Sequence, residues 1–242
     1  MEKSDFISAL ERDSANFIEA VDGSLDVDVP ACSGWTMRDL GSHVGKTWAI
    51  ATASVAAATD HFTSPGDRGR IPDDDVMVIE WLQSVRTAML STLSLTEPDA
   101  DAWSFAANDQ TAGFWQRRMA QETLVHSWDA HDAIGQTYAI DPDLALDGIN
   151  EYFAVGLQYS SSKPDRMYPN ETLHMHRTDG DGEWMLKGDG DRVVVTEEHA
   201  KGDAAVRGSA EDLLLWIWGR SSEGVEILGD TEVAEVWRAL AP

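Results

Sequence analysis

Residues 113–134 read GFWQRRMAQETLVHSWDAHDAI, and Gly135 follows. This stretch predicts one long helix that stops at Gly135, a residue suited to ending helices. Met119 and Val125 mark an apolar stripe along it. Glu122 and His126 lie four residues apart, so both project from the same face as that stripe. A helix with an imidazole and a carboxylate on its inner side needs neighbours to face.

The flanking sequence supplies them. In 2–22, Phe6, Ile7, Leu10, Phe17, Ile18 and Val21 repeat at helical spacing, and Gly23 ends the run. Thr36 with Asp39 three residues on is a variant capping box, opening a second helix over about 36–59. Asp73, Asp74 and Asp75 favour the start of a third, over 74–94, because acidic groups complement the helix dipole there. Four long helices joined by loops predict an antiparallel bundle. A fifth, over 141–159, leads out of it. The period then changes. Alternation in 172–177 and 183–187 predicts strands, as do 192–196, 204–207 and 225–228, with turn chemistry at Asp179–Gly182 and Gly188–Asp191. Helices are expected over 210–219 and 231–240. The expected fold is an all-α four-helix bundle, residues 1–160, followed by a small α+β domain, residues 161–242.

The charge excludes several functions. Eighteen Lys and Arg stand against 43 Asp and Glu, a formal net charge of −25, and both halves share the excess. Such a chain cannot neutralise a phosphate backbone, so no nucleic-acid partner is expected. An anionic membrane surface would repel it. The longest wholly apolar run is Leu213–Trp218, too short to span a bilayer. The N-terminal residues lack a basic-then-apolar signal pattern. With a single cysteine, Cys32, no internal disulfide is possible. A cytoplasmic protein, monomeric or homodimeric, is the expectation. Ten tryptophans are read as large core anchors, with an indole-lined pocket as the alternative.

One constellation can carry chemistry. His43 follows the Thr36 helix start by about two turns, beside Leu40 and Val44 on the apolar stripe. If the second and fourth helices face each other, His43 meets Glu122 and His126. Two imidazoles and a carboxylate suit zinc with a fourth position open, or non-haem iron. The competing reading is that Glu122 is a solvated charge and the histidines are packing or surface residues. Buried imidazoles need partners, which favours the first. Other residues read more plainly: Cys32 as a buried small side chain, with a redox or catalytic thiol as the alternative; His174 and His176 as the outer face of a strand, though the shared face would also let them chelate a metal; and His131 as lying off the site. Asp129 is either an orienting partner of His126 or a surface charge. Arg117 and Arg118 are solvated bundle charges, or one of them helps to hold a substrate carboxylate.

Three segments resemble the mycothiol-dependent maleylpyruvate isomerase family. Ala31–Leu40 followed by His43 is similar to its C-P-G-W-T-v-R-D-L-x-x-H segment. Arg117–Ala130 is similar to R-R-x-x-x-E-x-x-x-H-x-x-D. Val206–Arg220 is similar to v-x-G-x-a-x-D-L-l-l-x-l-x-G-R. The likeness runs in order along nearly the whole chain. It implies a DinB-like metal-binding helix bundle joined to a small domain like a sterol carrier protein, as in actinobacterial relatives. It implies Zn2+, or another divalent metal, held by His43, Glu122 and His126, and mycothiol as thiol cosubstrate. It also implies a catalytic basic residue from the small domain, which Arg220 matches. Two positions depart from the pattern: Ser33 replaces a proline, and Gln121 replaces a second histidine before the glutamate. The second departure bears on thiol binding or substrate choice.

The resulting expectation is an enzyme that activates a low-molecular-weight thiol for addition to an electrophilic small molecule. Cis–trans isomerisation and S-transfer both fit. The net charge disfavours a dianionic substrate such as maleylpyruvate unless the cleft is locally basic. The alternatives are a two-His-one-carboxylate iron oxygenase, and a non-catalytic thiol- or small-molecule-binding module on the same scaffold.

Overall fold

The computed structural model describes residues 1–157 and 168–241. They form two compact units, Met1–Ala139 and Ile140–Pro242. The break precedes the fifth helix, so that helix belongs to the second unit. The expected division between 160 and 161 falls outside the described residues.

The first unit holds four long helices: α1 Lys3–Val21, α2 Met37–Ala57, α3 Val78–Leu95 and α4 Ala112–Ala133. α3 begins later than expected because Asp75–Met77 forms a short 3-10 turn. α2 starts where its capping box dictates. Asp39 N–H donates to Thr36 Oγ1 at 3.3 Å, and Thr36 N–H donates to Asp39 Oδ2 at 2.9 Å. α1 packs on α4 and α3, and α2 packs on α3 and α4. Leu10, Phe17, Leu40, Val44, Trp48, Leu82, Met89 and Met119 are fully buried between them. Phe17 meets Trp48 edge-on, 5.8 Å between ring centroids. The Trp48 indole N–H donates to Thr123 Oγ1 at 2.9 Å, so a core tryptophan pins α2 to α4 one residue from Glu122. Trp81 of α3 lies against Gly45 of α2; a Cβ there would overlap its ring. That glycine sets the approach of the two helices.

The second unit begins with α5, Pro142–Glu151, capped by Asp141, and continues as a π-helical turn over Tyr152–Gly156. The expected helix end at 158–159 lies outside the described residues. Five strands follow: β1 Leu173–Arg177, β2 Glu183–Asp189, β3 Arg192–Thr196, β4 Ala204–Gly208 and β5 Glu226–Gly229. Their order is β3-β2-β1-β4-β5; β1 and β4 are parallel and every other pair is antiparallel. α6, Ala210–Ile217, starts at a Ser209–Asp212 capping box, and α7 spans Thr231–Arg238. Leu173, Met175, Trp184, Leu186 and Val206 share the core face of the sheet and are buried. Trp184 Nε1–H donates to Asn150 Oδ1 at 2.8 Å, tying sheet to α5. These elements match the expected strands and helices to within two residues at each end. A helix bundle followed by a small α+β unit is the fold the sequence pattern predicts. Among the described residues, no helix is long and apolar enough to cross a membrane.

Candidate metal centre

Two helices bring the centre together. The Thr36 cap fixes the start of α2, and two turns on His43 faces α4. There His43 Nε2 lies 2.8 Å from Glu122 Oε1. His126, one turn past Glu122, places Nε2 3.4 Å from the same oxygen. The two imidazole rings meet edge-on with centroids 5.0 Å apart. The second carboxylate oxygen, Glu122 Oε2, accepts from the Arg118 guanidinium at 2.5 Å. On the far side of His126, Nδ1 lies 2.8 Å from Oδ2 of the fully buried Asp129. Cys32 Sγ, from the loop before α2, donates to the same Asp129 oxygen at 3.6 Å.

The surroundings favour the charged forms of Glu122 and His126. Burial alone would raise the Glu122 carboxyl. The nearby Arg118 and His126 charges, with hydrogen bonds from both histidines, outweigh it and hold the carboxyl well below its usual range. Burial alone would lower His126. The Glu122 charge and hydrogen bonding to Asp129 and Cys32 outweigh it and raise the imidazole well above its usual range.

The donor set fits a divalent cation. One atom each from His43, Glu122 and His126 falls within 4.8 Å of the others. Two nitrogens and one oxygen leave a tetrahedral ion one open position. The His43 side chain is 39% exposed, against 13% for Glu122 and 10% for His126, so the centre opens to solvent on the α2 side. The Trp35 ring lies 5.2 Å from that of His43, placing an indole at the mouth. Arg118 and Asp129 orient the carboxylate and one imidazole from behind. A cleft of about 460 Å³ lies elsewhere on the bundle, lined by Ala49, Thr52, Ala53, Trp81 and Ala88 among others, and none of the metal-centre residues borders it.

Three expectations change. Arg118 is not a solvated charge: it is buried beneath Glu122, an i,i+4 ion pair that the sequence spacing already offered. Cys32 is half-buried and hydrogen-bonded behind the centre; its place in a loop gave no periodic signal. His174 is buried rather than on an open strand face. Burial holds its imidazole below the ordinary range despite the nearby Glu183 charge. Of the two readings of Asp129, the structure favours the partner of His126: it is fully buried against Nδ1 and is not a surface charge. His131 points away, its Nδ1 2.7 Å from the Ser127 carbonyl oxygen and its ring beside Tyr138. Gln121 is fully buried on α4. Arg220 belongs to the second unit, where its guanidinium donates to the Trp218 carbonyl at 2.7 Å and lies 5.7 Å from the Trp218 ring centre.

Comparison with solved structures returns the same architecture. A crystal structure of the mycothiol-dependent maleylpyruvate isomerase superposes with a TM-score of 0.69 at 11% identity, covering 94% of this chain and 93% of that one. A histidine-to-alanine mutant of that isomerase gives 0.66 at 12% identity with the same coverage. No curated protein sequence matches the chain. Residues 7–131, which contain all three candidate ligands, match the family described as mycothiol maleylpyruvate isomerase N-terminal domain, and residues 143–235 match the MDMPI C-terminal domain. Both matches fall in the family's own order on the two units, and the chain belongs to the mycothiol-dependent maleylpyruvate isomerase family.

Proposed function

We propose that this protein is a zinc-dependent, mycothiol-using enzyme of the cytoplasm that activates a thiol for attack on an electrophilic small molecule. The observation that carries the proposal is the convergence of His43 Nε2, Glu122 Oε1 and His126 Nε2 at the solvent-open side of the bundle. A divalent ion held there would lower the pKa of a thiol at the open position, making thiolate available at neutral pH.

The chain's own residues supply the rest. Asp129 accepts from His126 Nδ1 and so leaves Nε2 as the ligand atom. Arg118 holds Glu122 Oε2 and leaves Oε1 for the ion. The Trp35 ring, 5.2 Å from that of His43, offers an apolar surface beside the ligand. With a cis-enedione acid as electrophile, the thiolate sulfur adds to one alkene carbon and the carbon–carbon bond becomes single. The bond rotates, the same carbon–sulfur bond breaks, and the trans alkene and the thiolate are released, so no atoms are gained or lost. An electrophile with a leaving group would instead keep the sulfur. The net charge of −25 favours the broader class over a dianionic substrate.

Arg220 is proposed as the group that pairs with a substrate carboxylate, the role the family pattern gives it. Arg220→Lys keeps the charge and loses the planar fork. Turnover is expected to fall more than about twofold, or ~0.4 kcal/mol of transition-state stabilisation, with zinc content unchanged.

The test of the function is a thiol-dependence assay. Zinc-loaded protein is offered cis-enedione acids and alkylating electrophiles with mycothiol, with another thiol, or with none. Turnover with mycothiol, absent in His126→Ala, is expected. Thiol binding without turnover on any electrophile would reduce the protein to a binding module, and oxygen consumption by an iron-loaded form would replace the reading with an oxygenase.

A further inference from the structure

The second unit carries a cluster that the thiol chemistry does not use. β1 alternates, so His174 and His176 share the face opposite Leu173 and Met175. In the antiparallel pairing of β1 with β2, His176 stands opposite Glu183, which brings the carboxylate to that same face. The segment after β3 returns across it and adds His199. Gly202 permits that crossing: a Cβ there would lie 2.6 Å from the Ala204 carbonyl oxygen and 3.0 Å from the His174 backbone nitrogen.

The result is three of the chain's seven histidines around one carboxylate. His176 Nδ1 lies 2.7 Å from Glu183 Oε1, and His199 Nδ1 lies 2.8 Å from Oε2. His174 Nε2 is 3.9 Å from Oε2. One atom from each of the four residues falls within 4.8 Å of the others. His174 is 8% exposed, and its Nε2 has no hydrogen-bond partner. A buried imidazole nitrogen without a partner is rare in folded proteins. Here it points into a group of side chains whose remaining members are all metal-ligating types.

We propose that His174, His176, Glu183 and His199 form a second divalent transition-metal site, with Zn2+ the best-matched ion. Three imidazole nitrogens and one carboxylate oxygen complete a tetrahedral shell. A shell closed by four protein ligands leaves no position for substrate, so this site is structural. Its ligands join β1, β2 and the segment after β3, and the bound ion fastens that segment to the sheet. The cation supplies the partner that His174 Nε2 lacks.

The test uses the full chain without a histidine tag, stripped of metal and titrated with Zn2+ and, separately, Co2+. His126→Ala weakens the bundle centre and isolates the second site; wild type serves as the second background. One equivalent is expected to remain in His126→Ala. His199→Ala, on an exposed loop position that the fold does not need, is expected to weaken that equivalent at least tenfold, since even outer-shell partners of a metal site are worth ~10–100-fold. His176→Ala is expected to do the same. Zinc should also slow amide exchange over residues 197–203 in wild type and not in His176→Ala. If the bundle centre holds no metal, wild type binds one equivalent and His199→Ala still weakens it, so the two sites fail separately. The proposal is overturned if His126→Ala binds no zinc, or if zinc affinity is the same with and without His176 and His199.

Discussion

His126 Nδ1 lies 2.8 Å from Asp129 Oδ2 while its Nε2 faces Glu122 Oε1 at 3.4 Å, so one imidazole is clamped between two carboxylates on the same helix. The clamp decides which nitrogen can meet a metal. Asp129→Asn keeps the shape and removes the charge that holds Nδ1–H. Zinc affinity at the bundle centre is expected to fall ~10–100-fold, with the helical circular dichroism unchanged. Unaltered affinity in a competition assay against a chelator would assign Asp129 to packing alone.

Arg118 is the partner that makes a buried Glu122 tolerable. Removing it from the metal-free protein leaves a largely buried carboxylate without its strongest counter-charge; an uncompensated charge would cost ~3–5 kcal/mol, and the two histidines that still contact Glu122 bring the expected loss below that range. Urea unfolding of metal-free Arg118→Ala should show that loss. Zinc should recover part of it by replacing the missing positive charge. An Arg118→Ala protein as stable as wild type without metal would contradict the charge balance described for Glu122.

A second, partly buried polar link gives a pH signature away from the candidate metal centre. The Tyr138 hydroxyl donates to Oδ1 of the fully buried Asp13 at 2.5 Å. Burial and that hydrogen bond push its pKa up to about 12. The folded value lies above the unfolded one, about 10. The stabilisation is therefore complete below about pH 10 and is lost as pH rises through the folded value. Tyr138→Phe should lower stability at pH 7 by ~1.5–3 kcal/mol, the range for hydrogen bonds to charged groups. It should also flatten the decline in stability above pH 10. An equally steep alkaline decline in wild type and variant would locate that loss elsewhere.

Gly45→Ala sets two effects against each other. Helix propensity favours alanine by ~1 kcal/mol. The added methyl overlaps the Trp81 ring, and overpacking of this kind costs ~1–3 kcal/mol. The sum is a net loss of up to ~2 kcal/mol. A stabilised variant would mean that α2 and α3 move apart without cost, and that Gly45 does not set their spacing.

Much of this was legible in the sequence because it rests on local rules. Capping boxes at Thr36 and Ser209 and the period-two alternation around Met175 fix their elements through contacts a few residues apart. The pairing of His43 with Glu122 followed from two amphipathic helices, once a bundle was assumed. What escaped depends on chain reversals. The parallel pairing of β1 with β4 places distant segments side by side and leaves no local trace. Cys32 reaches Asp129 only through the loop before α2. The cluster at Glu183 needs β2 to pair with β1 and the segment after β3 to fold back. Sequence alternation therefore exposed the two strand histidines without showing what covers them.

The central claim is that His43, Glu122 and His126 together hold a metal. An anomalous difference map at the zinc edge, from crystals of the zinc-loaded protein, tests it most directly. The account predicts a peak within bonding distance of His43 Nε2, Glu122 Oε1 and His126 Nε2, with a fourth position open to solvent. A zinc-loaded crystal with no peak there, and the His43–Glu122 and Arg118–Glu122 contacts intact, would contradict it.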